Sequence, residues 1–162
     1  DIRAMASYCE RPIVMPMSNP TAKAEAIPAD VIAWSGGRAL VATGSPFGDV
    51  VYEGRRYRIG QANNAFIFPG VGLGAIAVRS RQVTAGMFSA SARALAETVD
   101  AATLAEGALY PPMSEVRNVS RRVAVAVARE AIAEGLADPD VDVEAAVDEA
   151  MWFPEYLPYR PA

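Results

Sequence analysis

The chain has 162 residues, of which 52% are hydrophobic and 21% charged, and this composition is that of an ordinary globular domain rather than a disordered chain. Its 19 acidic and 15 basic side chains give a formal net charge of -4, so we expect no nucleic-acid partner. Each apolar run is interrupted before it reaches the length of a bilayer crossing, and we expect no membrane partner. The sequence has no histidine, which excludes imidazole ligands and imidazole acid-base chemistry within it.

The first part of the chain predicts a strand-helix-strand unit. Residues 1–8 are typical of the end of a helix, so we expect the chain to begin in mid-domain. Residues 11–17 form an apolar run without polar alternation, which indicates a strand covered on both faces of a parallel sheet. A helix is predicted over residues 22–34, with Pro28 in its first turn, followed by an apolar strand over residues 39–43. Together they predict a right-handed βαβ unit.

The middle of the chain predicts a hairpin and two helices. Residues 50–59 carry a Glu-Gly-Arg turn between apolar pairs, which favours a small exposed β-hairpin. Residues 66–79 are almost wholly apolar and rich in glycine, so we expect a buried helix that packs closely on its neighbours. Thr84 is a suitable N-cap for the next helix. The predicted apolar face of that helix consists of Phe88, Ala92, Leu95 and Val99.

The last part of the chain predicts two more helices and an extended tail. One helical stripe of valines indicates a helix that closes near Gly135, and its members are Val116, Val119, Val123 and Val127. A short helix is predicted over residues 143–151. Residues 152–161 contain three prolines, which predicts an extended strap lying on a surface. We expect residues 1–112 to belong to one domain and residues 113–162 to form a C-terminal helical region and tail.

Three polar segments are expected to meet at one edge of the sheet, because ligands of open α/β sheets bind at the carboxyl ends of the strands. Residues 18–21 and 44–47 follow the two predicted strands, and residues 61–64 lead into the glycine-rich helix. Their neutral amide, hydroxyl and backbone groups can bind a ribose, a carboxamide or a carboxylate without adding charge. The helix N-terminus after Asn64 favours an anionic group. The alternative interpretation is that these residues are ordinary caps and turn formers.

Four other features have structural interpretations that we favour over functional ones. The glycines of residues 69–74 lack the spacing of a dinucleotide loop and favour helix packing. Lys23 lies among alanine and glutamate and is expected to be solvated. Cys9 is expected to be an inert packing residue. The alternating aspartates of residues 138–142 lack the glycine and distal glutamate of a calcium loop, and they predict a solvated turn and cap.

Four segments in this order resemble the C-terminal half of the malic enzyme family. They are residues 12–21 (PIVMPMSNPT), 42–47 (ATGSPF), 61–70 (QANNAFIFPG) and 109–112 (LYPP). The likeness extends to the region of Trp152 and so covers nearly the whole chain. One departure is Ala62, where the family usually has glycine, and its methyl group is expected to tighten that turn. The resemblance implies an α/β fold, the C-terminal part of a Rossmann-like doubly wound parallel sheet, followed by helices and the strap.

The resemblance also implies the function and the site. The whole enzyme would oxidise and decarboxylate malate to pyruvate with NAD or NADP and a divalent metal, Mg or Mn. Ser18, Asn19 and Asn63 would contact the cofactor, and Asn19, Asn63 and Asn64 would contact the substrate. The family's catalytic tyrosine and lysine, its acidic metal ligands and its dinucleotide glycine motif lie upstream. We therefore assign no catalytic residue and no metal ligand to this segment, and we expect it to be inactive in isolation.

Two other functions remain open from the sequence. A malolactic enzyme would share these motifs while releasing lactate without net reduced cofactor. A non-catalytic dinucleotide-binding or oligomerisation module is the interpretation from another class. The resemblance implies a homo-oligomer, and the lone Cys9 fits a reducing, cytoplasmic location. The choice between NAD and NADP depends on residues around the adenosine ribose, which this segment does not contain.

Overall fold

The computed structural model describes residues 1–156, and its first elements form the predicted βαβ unit. Helix α1 (Ile2–Tyr8) precedes strand β1 (Ile13–Val14), and helix α2 (Pro28–Trp34) connects it to strand β2 (Leu40–Thr43). The two strands pair in parallel. The predicted succession of strand, helix and parallel strand is confirmed, and the right-handed crossover stays a prediction.

Helix α2 begins at Pro28, so the predicted start at residue 22 is wrong. A short 3-10 turn occupies Thr21–Lys23, and Ile27 has an extended backbone. The cause is Pro28 itself, since a proline disfavours the helical conformation of the residue before it. At the first position of a helix the same proline is well tolerated, because its missing N–H has no partner there anyway.

Strand β1 is covered on one face only, so the prediction of a strand buried on both faces is wrong for the described part of the chain. Ile13 is 55% exposed, and Met15 and Met17 on the same face are exposed as well. Pro12 and Pro16 point the other way and are buried. Alternate side chains of a strand face opposite sides of the sheet, and helix α2 packs on only one of them.

Arg38 connects the end of helix α1 to the sheet through hydrogen bonds. Its guanidinium donates hydrogen bonds to the carbonyl oxygens of Ala6 at 2.8 Å and Glu10 at 3.3 Å. Cys9 ends this helix with an extended backbone, and its thiol is exposed. The expectation that Cys9 packs in the interior is therefore wrong, because the backbone turns its side chain towards solvent where the helix ends.

A β-hairpin and a third parallel strand follow. Strands β3 (Val50–Tyr52) and β4 (Arg55–Tyr57) pair in antiparallel fashion, as predicted. Glu53 and Gly54 in their turn both have positive φ, which is typical of a two-residue hairpin loop. Strand β5 (Gly60–Gln61) pairs in parallel with β2, so the sheet has the order β1-β2-β5.

Five α-helices complete the described chain. They are α3 (Phe68–Ala77), α4 (Ala85–Ala96), α5 (Ala101–Ala105), α6 (Val116–Ala133) and α7 (Val143–Ala150). Helix α6 lies at the centre, with α3, α4 and α7 packed against it. Its predicted valine stripe is confirmed, because Val119, Val123 and Val127 are buried in the larger of two hydrophobic clusters. No helix in residues 1–156 is both long enough and apolar enough to cross a membrane.

Helix α3 is buried on one side only, which corrects the expectation of a wholly buried helix. Gly70 and Gly74 lie against α6, and this close packing was predicted. Phe68 is 78% exposed and Ile76 is 73% exposed on the outer side. The composition of the helix is apolar all round, but the described elements cover only the face that the glycines provide.

Helix α4 presents a different face to the core from the one predicted. Thr84 is its N-cap, as expected, and accepts a hydrogen bond from the backbone of Met87. The buried residues are Met87, Ala90 and Ser91, whereas the predicted face begins with the exposed Phe88. Small side chains allow α4 to approach α6 closely. The buried Ser91 hydroxyl donates a hydrogen bond to the backbone oxygen of Phe88 at 2.7 Å.

Residues 151–156 form no helix or strand, in line with the predicted extended tail. The Arg117 guanidinium donates to the backbone oxygen of Trp152 at 3.0 Å and lies 5.3 Å from the ring centre of Phe153. These contacts fix the start of the tail on α6. Residues 157–161, the rest of the predicted strap, lie outside the described residues.

Candidate functional site

The carboxyl ends of β1, β2 and β5 lie at one edge of the sheet, because the three strands run parallel. Two backbone hydrogen bonds continue the pairing beyond the strands. The Gly44 N–H donates to the Pro16 oxygen at 2.9 Å, and the Ala62 N–H donates to the Thr43 oxygen at 2.8 Å. The predicted segments therefore share one rim, with the outer two about 10 Å apart across two strand spacings.

Asn19 is held by a serine from the neighbouring strand end. The Ser45 hydroxyl donates a hydrogen bond of 2.5 Å to Oδ1 of Asn19, while the Asn19 side chain is exposed. Ser45 is only 2% exposed. The Thr43 hydroxyl donates to the Ser45 carbonyl oxygen at 2.8 Å, which fixes the backbone of Ser45 in turn. The structure thus brings two of the three predicted segments into direct contact.

Ser18 is held from the opposite side by Glu25. Its hydroxyl donates to Oε1 of Glu25 at 2.6 Å, and its N–H donates to Oε2 at 3.2 Å. The hydrogen bond from the Ser18 hydroxyl is the main reason that the pKa of Glu25 lies below its ordinary value. Since the hydroxyl proton of Ser18 is already engaged, this side chain can offer a ligand only its oxygen lone pairs.

Gly44 allows the first two loops to touch. A Cβ at this position would overlap the carbonyl oxygen of Met17. Packing therefore requires glycine between Thr43 and Ser45, since any side chain would push residues 17–21 away from the end of β2.

Asn63 and Asn64 stand on the other side of β2. Asn63 caps a short 3-10 helix, Asn64–Phe66, and its Oδ1 accepts a hydrogen bond from the N–H of Ala65 at 2.9 Å. Its amide nitrogen faces away from that bond and is a donor. Asn64 is exposed. Phe66 is fully buried and stacks on Tyr110, with 6.1 Å between ring centres, which anchors the segment.

A side-chain hydrogen bond connects this third segment, residues 61–64, to the second, residues 44–47. The Gln61 amide nitrogen donates to the Gly44 oxygen at 3.0 Å. Asn19 and the Asn63–Asn64 pair are thus linked through the end of β2. Apart from the Glu25 carboxylate that Ser18 engages, the site that results is an open rim of uncharged donors and acceptors, suited to binding and orienting a polar ligand.

The contact of Glu25 with Ser18 at this rim was not predicted from the sequence. Glu25 lies seven residues after Ser18, beyond the Asn19–Pro20 turn and the 3-10 turn. Local spacing gives no signal for such a contact, because it depends on how those turns fold back. Ser45 and Gln61 were inside the predicted segments, but nothing in the sequence indicated their individual partners.

Three of the four features that we interpreted structurally behave as expected, namely the glycines of helix α3, Lys23 and the aspartates of residues 138–142, whereas Cys9 does not pack in the interior. Lys23 is exposed. Asp142 caps α7 by accepting from the Ala145 N–H at 3.1 Å, and Asp138 accepts from the Asp140 N–H at 3.0 Å. Within residues 1–156, no group of three or more histidine, cysteine, aspartate or glutamate side chains is placed to hold a metal ion.

The parallel sheet with its crossover helix and polar carboxyl rim defines a Rossmann-like α/β domain. The sequence profile described as malic enzyme, NAD binding domain, matches residues 1–132. The chain therefore belongs to the malic enzyme family, in the NAD-binding domain.

Individual relatives agree with this assignment. The chain is 50% identical over 161 residues to the NAD-dependent malic enzyme of Vibrio campbellii, covering 98% of this chain and 29% of that protein. It is also 50% identical to the NAD-dependent malic enzyme of Pseudomonas aeruginosa strain LESB58, covering 98% and 28%. The chain thus spans less than a third of the length of these relatives.

Two solved structures share the fold. The malic enzyme of Pyrococcus horikoshii is 31% identical with a TM-score of 0.61, and the match covers 85% of this chain and 28% of that one. The malic enzyme of Entamoeba histolytica is 31% identical with a TM-score of 0.69, covering 86% and 26%.

Proposed function

We propose that this chain is the part of an NAD-dependent malic enzyme that holds the nicotinamide end of the cofactor and the substrate malate. The whole enzyme would convert malate to pyruvate by oxidative decarboxylation. The observation that carries the proposal is the single rim at the carboxyl ends of three parallel strands, where Asn19 follows β1 and where Asn63 and Asn64 follow β5. The relatives named NAD-dependent malic enzyme support NAD as the cofactor.

The donor set of the rim fits these ligands. Asn19 would contact the nicotinamide ribose and the substrate, and Asn63 would contact the cofactor and the substrate through its free amide nitrogen. Asn64 would contact the malate carboxylate, and Ser18 would lie beside the cofactor as an acceptor. Neutral amides bind such groups without shifting their charge, so they orient a ligand without competing for its protons.

Orientation is the contribution of this segment to the reaction. The nicotinamide supplies the hydride acceptor when it is bound. The amides at the rim would hold the malate carbon against it, and correct positioning of two reactants accounts for a large part of many enzymatic barriers. A divalent metal, Mg or Mn, is implied by the family, but the described residues offer no ligand set for it. We therefore assign the metal no residue of this segment.

Substitution of Asn64 tests the proposal directly. In the full-length enzyme, Asn64→Ala is expected to raise the KM for malate about ten- to a hundredfold, because a hydrogen bond to a charged carboxylate is lost. Initial rates at varied malate concentration measure this. Asn118→Ala removes another exposed amide, on α6, and is the matched control. Parental KM values for both malate and NAD in the Asn64 variant would refute the assignment.

Product analysis separates the proposed activity from the malolactic alternative. A malic enzyme yields pyruvate and one NADH for each malate consumed, whereas a malolactic enzyme yields lactate and no net NADH. We expect pyruvate with stoichiometric NADH. Lactate as the sole product would replace the proposed reaction, and full-length protein that turns over no malate would favour a non-catalytic module.

We further propose that the enzyme is a cytoplasmic homo-oligomer. The exposed thiol of Cys9 suits a reducing compartment. The outward-facing Phe68, Ile76 and Trp152 offer apolar area to a second copy. Light scattering of the full-length protein measures the oligomeric state, and cell fractionation locates it. A monomer at micromolar concentration, or recovery outside the cytoplasmic fraction, would contradict the corresponding part of the proposal.

A further inference from the structure

The bond between Ser45 and Asn19 determines which end of the Asn19 amide faces outward. The two heavy atoms are 2.5 Å apart. This separation falls in the range of an O–H···O hydrogen bond and lies below the range of about 2.7–3.2 Å for N–H···O bonds. The atom of Asn19 that faces Ser45 is therefore its oxygen. The amide nitrogen, which carries two N–H donors, faces away from Ser45.

Ser45 is fixed independently of Asn19. The Thr43 hydroxyl binds its carbonyl oxygen, and the Gly44 N–H binds Pro16 on the neighbouring strand. The other acceptor near the Ser45 hydroxyl is the Ser18 carbonyl oxygen at 3.5 Å, which is too long for a strong bond. Ser45 is buried, so its own hydroxyl is not presented to solvent. Its hydroxyl proton is thus committed to Asn19.

We infer that Ser45 is a positioning residue of the proposed site, which occupies the acceptor of the Asn19 amide and turns the amide nitrogen towards the ligand. The inference rests on the proposed function of Asn19. Its consequence for specificity is that the ligand atom beside Asn19 is a hydrogen-bond acceptor, such as a carboxylate or hydroxyl oxygen. A ligand that places a donor there meets another donor and binds weakly.

A double-mutant cycle on the full-length enzyme tests whether Ser45 acts through Asn19. Ser45→Ala is expected to raise the KM for malate about three- to tenfold, the effect of one neutral hydrogen bond. In the Asn19→Ala background, the same substitution should change KM by less than about twofold, because there is no amide left to orient. Equal fold-changes in both backgrounds, or no change in either, would overturn the inference.

The same cycle distinguishes failure of the inference from failure of the proposed function. If Asn19→Ala leaves the KM values for malate and NAD at their parental level, the assignment of Asn19 as a ligand contact fails. If Asn19→Ala raises KM and Ser45→Ala acts independently of it, the assignment stands and only the inference fails. Ser91→Ala removes another buried serine hydroxyl, on α4, and as a control should alter the melting temperature without changing KM.

A second variant tests the direction of the amide without touching the buried serine. Asn19→Asp keeps the shape and the acceptor for Ser45 but replaces the outward donor with an oxygen that carries negative charge. We expect its KM for malate to exceed that of Asn19→Ala. A KM at or near the parental value would overturn the inference, because the ligand would then not need a donor at this position. This variant changes an exposed side chain, so the test holds even if Ser45→Ala fails to fold.

Discussion

Gly74 and Gly72 differ in what surrounds them, although they are two residues apart on helix α3. A Cβ on Gly74 would overlap the backbone oxygen of Ala124 on α6, and a Cβ on Gly72 would meet open space. Gly74→Ala is expected to destabilise the fold by about 1–3 kcal/mol through overpacking. Gly72→Ala should stabilise it by about 0.5–1 kcal/mol, since alanine is the better helix former.

Urea unfolding of the two variants measures both changes under identical conditions. The glycines share a helix, so helix propensity contributes equally to both substitutions and the difference isolates the α3–α6 contact. Stabilisation of the same size in both variants would show that the two helices do not approach as closely as the structure indicates.

The roles of single residues at the rim could be predicted from the sequence only where residue type and local turn chemistry determine them. Asn63 and Asn64 follow a turn before an apolar helix, which marks both as capping or binding residues. That Asn63 caps through its oxygen and so directs its nitrogen outward required coordinates. The bond from Ser45 to Asn19 joins positions 26 residues apart, and the Glu25 contact with Ser18 depends on two intervening turns. Neither arrangement has a local pattern.

Helices α6 and α7 are joined by an ion pair that should make stability depend on pH. Nε and Nη2 of Arg121 donate to the two carboxylate oxygens of Asp148 at 2.5 and 2.7 Å. The hydrogen bond from Arg121 lowers the pKa of Asp148, and the same bond raises the pKa of Arg121. Glu144 on α7 also faces Arg121 and is itself paired with Arg129.

The sign of the effect follows from the lowered pKa of Asp148. The fold favours the ionised carboxylate, so the pair stabilises above the ordinary Asp pKa of about 3.9 and this contribution is lost as the pH falls through the lower value in the folded chain. Asp148→Asn should lower the melting temperature slightly at pH 7, and the difference from the parent should vanish at strongly acidic pH. Both side chains are partly exposed, so added salt should reduce the effect.

Thermal unfolding across pH with Glu149→Gln as control checks this prediction. Glu149 is an exposed carboxylate on the same helix, so its removal changes net charge equally. Equal melting temperatures for the Asp148 variant and the parent at pH 7 and low salt would contradict a stabilising pair.

The bounds of helices and strands were predicted well where capping or turn residues mark their ends. Their buried faces were predicted less well, because burial depends on the neighbouring elements. Thr84 marks the start of α4, and the hairpin turn at Gly54 marks the reversal between β3 and β4. The predicted buried face of α4 was wrong because an apolar stripe can start at either Met87 or Phe88. Which of the two is buried depends on the side chain that the surface of α6 accommodates. For the same reason the prediction that β1 is buried on both faces is wrong, since the exposure of a strand depends on elements that its own sequence does not specify.

The described chain contains two hydrophobic clusters of unequal size. The larger one joins α3, α4, α6 and α7, and the smaller one joins α2 to strands β2 and β4. Strand β5 and its place beside β2 were not predicted. The parallel pairing of β1 with β2 follows from the βαβ pattern in the sequence. The division of hydrophobic residues between two clusters does not, because apolar periodicity gives the face of each element and not its partner.

Hydrogen exchange should report these two clusters as separate units of stability. We expect the amides of α6 and α3 to exchange most slowly and in step, since Gly70 and Gly74 place the two helices in close contact. Amides of β1 should exchange earlier, because its outer face is open and its short ladder has few neighbours.

The same measurement tests the boundary predicted at residue 112, which stays a prediction. If residues 113–150 form a region that opens by itself, α6 should exchange faster than α3 under mildly destabilising conditions. The shared cluster predicts equal exchange of the two helices instead, because opening α6 would expose the buried side chains that α3 and α4 pack against it. Equal exchange free energies for α3 and α6 would therefore move the boundary of the folding unit towards the sheet, before α3. Protection of β1 equal to that of α6 would contradict both divisions and show that the described chain opens as a whole.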